Sequence, residues 1–164
     1  MSDQTEINPS REEARVPRQD ELPDFKGTLT HSNLRAAYAV DAKASQLYLY
    51  FAQIAKIEGY PKVANTLFEL AEAETLFAHG HLDFLKRAGD PVTGRPVGET
   101  LLNLQAAMAA ESHESADQLP EMARTAHAEG FPDIASWFET LMKVRRAHAG
   151  RIQEALAVAQ QDAR

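Results

Sequence analysis

From Thr30 onward, apolar residues recur at steps of three and four, the period of an amphipathic helix. Thr30 reads as the N-cap of a first helix, with Leu34, Tyr38, Ala44, Tyr48, Phe51 and Ala55 along one face. Gly59-Tyr60-Pro61 breaks the pattern: glycine stops one helix and proline starts the next. The second helix turns Val63, Leu67, Leu70, Phe77 and Leu85 inward and ends near Gly89. Gly89 to Gly98, with two prolines and three glycines, reads as a crossover loop. A third helix runs from about Thr100, with Leu101, Leu104, Met108 and Ser115 inward, and Pro120 is expected to kink it. Gly130-Phe131-Pro132 repeats the earlier break, and a fourth helix carries Ile134, Phe138, Leu141, Ile152 and Leu156. The pattern predicts an all-α antiparallel four-helix bundle, two helical hairpins joined by one crossover.

The two halves repeat at an offset of 71 residues. Glu58-Gly59-Tyr60-Pro61 matches Glu129-Gly130-Phe131-Pro132, and Ala64, Leu70, Ala78 and Leu85 match Ala135, Leu141, Ala149 and Leu156. A duplicated hairpin would place matches there.

Before the helices, residues 1–26 are polar and punctuated by Pro9, Pro17 and Pro23, which reads as a disordered tail ahead of a bundle domain over 27–164. At 44% hydrophobic, 164 residues are enough for one core. A net charge of −7 argues against nucleic acid or an anionic membrane as partner. With no cysteine, the chain has no disulfide, thiolate metal site or cysteine nucleophile. No apolar run is long enough to span a bilayer and no signal-peptide core is present, so a cytoplasmic location is expected.

The candidate chemistry lies where the inward stripes stop being apolar. Asp41 interrupts the first stripe between Tyr38 and Tyr48, and Glu74 interrupts the second between Leu70 and Phe77. Glu111 and Glu114, three apart and so on one face, follow Met108 on the third. Arg145 and His148, again three apart, follow Leu141 on the fourth. All fall near mid-helix, so a closed bundle would gather four carboxylates, an arginine and a histidine at one level. Burying unpaired carboxylates costs several kcal/mol each, so such a cluster needs cations or protons. Bundles commonly meet this with two divalent metals, held by a Glu from each of two helices and Glu-x-x-His from the others. By the internal repeat, Glu74 corresponds to Arg145 and Phe77 to His148, so each Glu-x-x-His copy is half broken.

At these residues a family resemblance becomes specific. The stretches Leu47-Tyr48-Leu49-Tyr50-Phe51-Ala52-Gln53, Ala78-His79-Gly80-His81-Leu82-Asp83-Phe84-Leu85, Gly89-Asp90-Pro91-Val92-Thr93-Gly94 and His148-Ala149-Gly150-Arg151 look like short rubrerythrins without a rubredoxin domain. The resemblance spans about Phe25 to Leu156 and implies the ferritin-like fold, a homodimer and a di-iron peroxidase fed by a redox partner protein. It implies that Asp41 stands at a terminal glutamate ligand and Glu74 at a bridging one. Glu111 and Glu114 stand at the two glutamates of the third helix, and His148 at the second histidine. Phe77 and Arg145 depart from the pattern, replacing the first histidine and the other bridging glutamate.

An arginine at a bridging position brings a fixed positive charge where a metal would sit. Four carboxylates, one arginine and one divalent ion sum to about −1, which favours one ion over two. Glu74, Glu111 and His148 then resemble a site for one iron, manganese or zinc ion, with Asp41 and Glu114 beside it, and an altered two-ion site stays open as the variant of that reading. The rival reading is a metal-free carboxylate–arginine network in a non-catalytic interaction or assembly protein. A third uses Tyr38 or Tyr48 for metal-free redox chemistry. His81, one turn beyond Phe77, reads as family background, and His113 as a surface residue.

Overall fold

A computed structural model describes residues 22–162, so most of the expected disordered tail lies outside the described residues. The stretch 22–26 is docked on the end of the second helix: Arg87 donates to the Pro23 carbonyl at 2.7 Å and lies 4.9 Å from the Phe25 ring centre.

The helices are α1 (Leu29–Ile57), α2 (Pro61–Leu85), α3 (Thr100–His113), α4 (Leu119–Ala128) and α5 (Pro132–Asp162), with a π turn, Glu114–Gln118, joining α3 to α4 in one rod. Four helical rods form two hairpins of the ferritin-like kind, α1–α2 and α3/α4–α5. Among the described residues no helix is long and apolar enough to cross a membrane.

The α1 cap is Thr28, not Thr30: Thr28 has extended backbone and its Oγ1 accepts from the His31 amide at 3.2 Å, leaving Thr30 inside the first turn. The α1–α2 break is a Schellman motif, with Tyr60 N–H to Ala55 O at 2.8 Å, Gly59 N–H to Lys56 O at 3.2 Å and Gly59 at φ +85°. The α4–α5 break repeats it: Phe131 N–H to Ala126 O at 2.8 Å, Gly130 N–H to His127 O at 3.2 Å and Gly130 at φ +84°. The repeat seen in the sequence is thus a repeat of backbone geometry. At Pro120 the discontinuity is the π turn itself, closed by Leu119 N–H on the Glu114 carbonyl just before the proline that has no N–H to give.

Inside the first hairpin the buried positions are small. Ala64, Ala71, Ala78 and Leu85 follow one another at seven-residue steps on α2, facing Ser45, Ala52 and Ala55 of α1 across a close seam. One polar pair sits there, Ser45 Oγ and Thr75 Oγ1 at 2.8 Å. The large residues expected inward are only partly covered: Phe77 is 57% exposed, Val63 52%, Phe51 46%, and Leu70 and Ile134 44% each. The reason is packing between hairpins. Among the described residues, no Cα of α1 or α2 lies within 8 Å of one in α3, α4 or α5. The hairpins face each other near the crossover, across a cavity of about 530 Å³ lined by Tyr38, Leu82 and Leu85 on one side and Ala106, Ala107 and Ala110 on the other.

The crossover is a folded turn. The Asp90 carboxylate accepts from the backbone amides of Val92 and Thr93 at 2.8 Å and of Arg95 at 3.1 Å, and from the Thr93 hydroxyl. Asp90 N–H closes the ring on the Arg95 carbonyl at 2.9 Å. Burial alone would raise the Asp90 pKa, but these hydrogen bonds outweigh it and hold the carboxyl below its ordinary 3.8. Arg35 ties the turn to α1 through the Pro91 carbonyl at 2.9 Å.

Candidate metal centre

The six residues picked from the interrupted stripes fall into two groups within one chain, not one. On the α3/α4–α5 hairpin, Arg145 NH1 lies 3.2 and 3.3 Å from the two Glu111 carboxylate oxygens, and its Nε lies 2.9 Å from Glu114 Oε2. The guanidinium therefore bridges both carboxylates with two different edges. His148 Nδ1 is 3.3 Å from Glu111 Oε1, so Glu111 is shared between arginine and imidazole. Glu111 is the most enclosed of the group, its side chain 16% exposed against 29% for Glu114 and 36% for Arg145. Glu114 opens the π turn, so the local widening of the helix lies at the carboxylate Arg145 grips.

On the α1–α2 hairpin, Asp41 does not reach Arg145. Its Oδ2 lies 2.9 Å from His81 Nε2, both side chains largely enclosed. His81 reads from the sequence as family background, and the structure sets it against Asp41. The signal for that contact is its place on the Leu70, Glu74, Phe77, His81 stripe, one turn past Phe77. Glu74 is half-buried on the same stripe and pairs with none of the described residues, and Phe77 stands open beside it. Tyr38 and Tyr48, also half-buried, flank Asp41. His113 pairs with Asp117 at 2.9 Å on the surface, away from Glu111 and Glu114.

Among the described residues, no three carboxylate or imidazole groups of a single chain converge as metal ligands would. The physical reason is the separation of the hairpins. Glu111 and His148 are on one, while Glu74, Asp41 and His81 are on the other. The candidate residues are thus divided between the two hairpins.

Comparison with known proteins decides the lineage. The rubrerythrin family model matches residues 32–156, which is most of the chain and all four rods. The chain belongs to the rubrerythrin family. It is 37% identical over 137 residues to a rubrerythrin of Porphyromonas gingivalis, covering 81% of this chain and 68% of that protein. It is 33% identical over 141 residues to rubrerythrin-1 of Clostridium acetobutylicum, covering 79% and 71%. A Clostridium perfringens rubrerythrin is 33% identical over 144 residues, covering 81% and 72%.

Proposed function

We propose that this chain is a rubrerythrin-type metalloprotein whose centre has been rebuilt around Arg145 to hold one divalent ion per site instead of two. The observation that carries the reading is the guanidinium lodged between Glu111 and Glu114 at 2.9–3.3 Å. A charge fixed there does electrostatically part of what a second metal would do, without needing to be loaded. The remaining donors suit one ion. His148 and Glu111 supply an imidazole and a carboxylate from one hairpin, and Glu74, which has no partner among the described residues, supplies the second carboxylate. Such a mixed nitrogen and oxygen set suits iron, manganese or zinc. Asp41 and His81 form a hydrogen-bonded pair on the same hairpin as Glu74, placed to hold or pass a proton at the edge of the site.

The chemistry proposed is reduction of peroxide or dioxygen, with the electrons drawn from a partner redox protein. A redox-active ion would supply the one-electron steps. The chain's own contribution would be the Arg145 cation, which would stabilise negative charge developing on the substrate's oxygen, and the Asp41–His81 pair as a proton reserve.

A second reading is favoured by the same arginine: Glu111 and Glu114 are already paired with a cation that offsets one of their two charges, which suits a metal-free network in a protein kept for its interactions. Metal content per chain separates the two. Protein expressed with iron, manganese and zinc supplied is expected to hold one ion per site. Two ions per site would remove the proposed role of Arg145. A folded, correctly assembled protein with none would leave the metal-free reading.

A further inference from the structure

We infer that the cavity at the crossover binds a small organic acid, with a compact apolar body inside the cavity and its carboxylate at the rim against Lys86. Three observations lead there.

The first is size. The cavity measures about 530 Å³, within the roughly 300–1,000 Å³ of small-molecule sites. Peroxide has the bulk of about two waters, or ~60 Å³ by their share of the liquid. The substrates proposed above therefore leave most of this space without a use. The second is support. Four elements supply the walls: Tyr38 of α1, Leu82 and Leu85 of α2, Val97 of the crossover and the alanines of α3. The crossover wall is held by the hydrogen bonds to Asp90 and tied to α1 through Arg35. A concavity fixed in this way needs little ordering when a ligand arrives.

The third is the inventory of polar side chains. Both carboxylates that line the cavity are engaged, Asp90 by its own turn and Asp83 by Lys86. Donors are in surplus. Asn103 accepts the Gly98 N–H on its Oδ1 at 2.8 Å, which leaves its NH2 group to donate. The Tyr38 hydroxyl bonds to no other group among the described residues. Lys86 runs its stem past Gly98, where a Cβ would meet its Cδ at 3.8 Å, and its ammonium lies 3.2 Å from Asp83. That carboxylate is 75% exposed, so the pair is solvated and weak, and the ammonium has two further protons to give. Three donors, one of them charged, select a ligand whose polar end accepts, and a carboxylate accepts most strongly. The apolar walls select the rest of the molecule, an aromatic ring or a short branched chain.

The cavity is also placed beside the candidate centre. Tyr38 is one turn before Asp41 on α1, and Ala107 is one turn before Glu111 on α3. The significance of that neighbourhood rests on the function proposed above, but the binding does not.

The test uses the full chain, metal-free in chelator, with benzoate as the probe and benzyl alcohol as its uncharged counterpart. Titration calorimetry is expected to show saturable benzoate binding with a Kd below about 1 mM, and benzyl alcohol at least about tenfold weaker. Ala107→Leu, which puts a larger apolar side chain into the cavity, should abolish benzoate binding while Tm stays near the parent's. Lys86→Met keeps the stem and removes the charge, so it should weaken benzoate about tenfold and leave benzyl alcohol unchanged. Should Ala107→Leu fail to fold, Lys86→Met, a surface change, still decides. No saturable benzoate binding by the parent, undiminished binding in either folded variant, or benzyl alcohol held as tightly as benzoate would each overturn the inference. Benzoate binding as expected, by a protein that takes up no metal when metal is supplied, would refute the proposed function and leave this site standing.

Discussion

Replacing Arg145 with glutamate probes the centre most directly. In the parent, the guanidinium sits 2.9–3.3 Å from the carboxylates of Glu111 and Glu114. At such distances a unit-charge pair is worth about 1 kcal/mol in water and about 4 kcal/mol near a protein surface. With side chains between 16% and 36% exposed, screening holds each pair towards the lower part of that range. Arg145→Glu removes two attractions and adds two repulsions, which side-chain movement partly relieves. A loss of about 2–4 kcal/mol in metal-free protein follows, or about 5–15 °C in Tm for a domain of this size. The variant also gathers three carboxylates and His148 on one hairpin, which is a far better cation site. A divalent ion at a hundred times its Kd would return about 2.7 kcal/mol.

The assay is thermal unfolding of parent and variant at one protein concentration, in chelator and then against manganese or iron, with bound metal counted. The variant should be the less stable in chelator, gain more from metal than the parent, and hold more ions per chain. If it matches the parent in chelator, or gains nothing extra from metal, Arg145 is not the counter-charge of this site.

Four further outcomes are expected. Glu74→Ala and His148→Ala should each lower the metal bound per chain; a variant that keeps the parent's metal content would remove its residue from the donor set. Gly89→Ala should lower Tm clearly more than Gly98→Ala, because a Cβ at Gly89 would meet the Gly94 carbonyl oxygen at 2.5 Å while one at Gly98 meets only the Lys86 side chain at 3.8 Å; equal effects would mean the crossover turn is not closed as described. Ala71→Leu in the α1–α2 seam, where the alanine is 1% exposed, should cost about 1–3 kcal/mol by chemical denaturation, and a neutral result would show that the seam is loose. Asp90→Asn should destabilise at neutral pH, with the gap to the parent closing as pH falls below about 3.8, since a carboxyl with a lowered folded-state pKa contributes in full above its unfolded value and loses that contribution as pH falls through the folded one; unfolding curves that stay equally far apart down to pH 3 would refute this.

The sequence made the hairpins legible because their punctuation is local. Gly59 and Gly130 must take positive φ to close a Schellman turn, and Pro61 and Pro132 follow where only a new helix can begin. The charged interruptions were legible too, since a carboxylate on an apolar stripe stands out wherever the stripe goes. Three features were not. Thr28 and Thr30 are equally good caps by residue type, and only the turn through Phe25 selects the first. The π turn depends on one extra residue in a helix whose periodicity hardly changes. His81 lay inside a stretch that reads as ordinary family sequence, and its contact with Asp41 depends on the register of α1 against α2, set by alanines such as Ala71 and Ala78 that carry little hydrophobic signal. Periodicity also shows that a face is apolar and not how far it is covered, so Leu70 and Phe77 read as inward although they are 44% and 57% exposed.

Both lessons meet in the division of labour between the two faces of each hairpin. The alanine seam and the Schellman turn make the hairpin a unit held by short-range contacts, and the repeat at 71 residues gives both hairpins the same construction. The opposite face, with Glu74 on one hairpin and Arg145 on the other, is left for a second hairpin to cover. Between the hairpins the crossover is held by the Asp90 turn, where Gly89 leaves no room for a side chain. On the second hairpin one guanidinium meets two carboxylates, so Arg145 offsets one of the two charges of Glu111 and Glu114 and leaves about one negative charge on that face for a cation or a proton to answer.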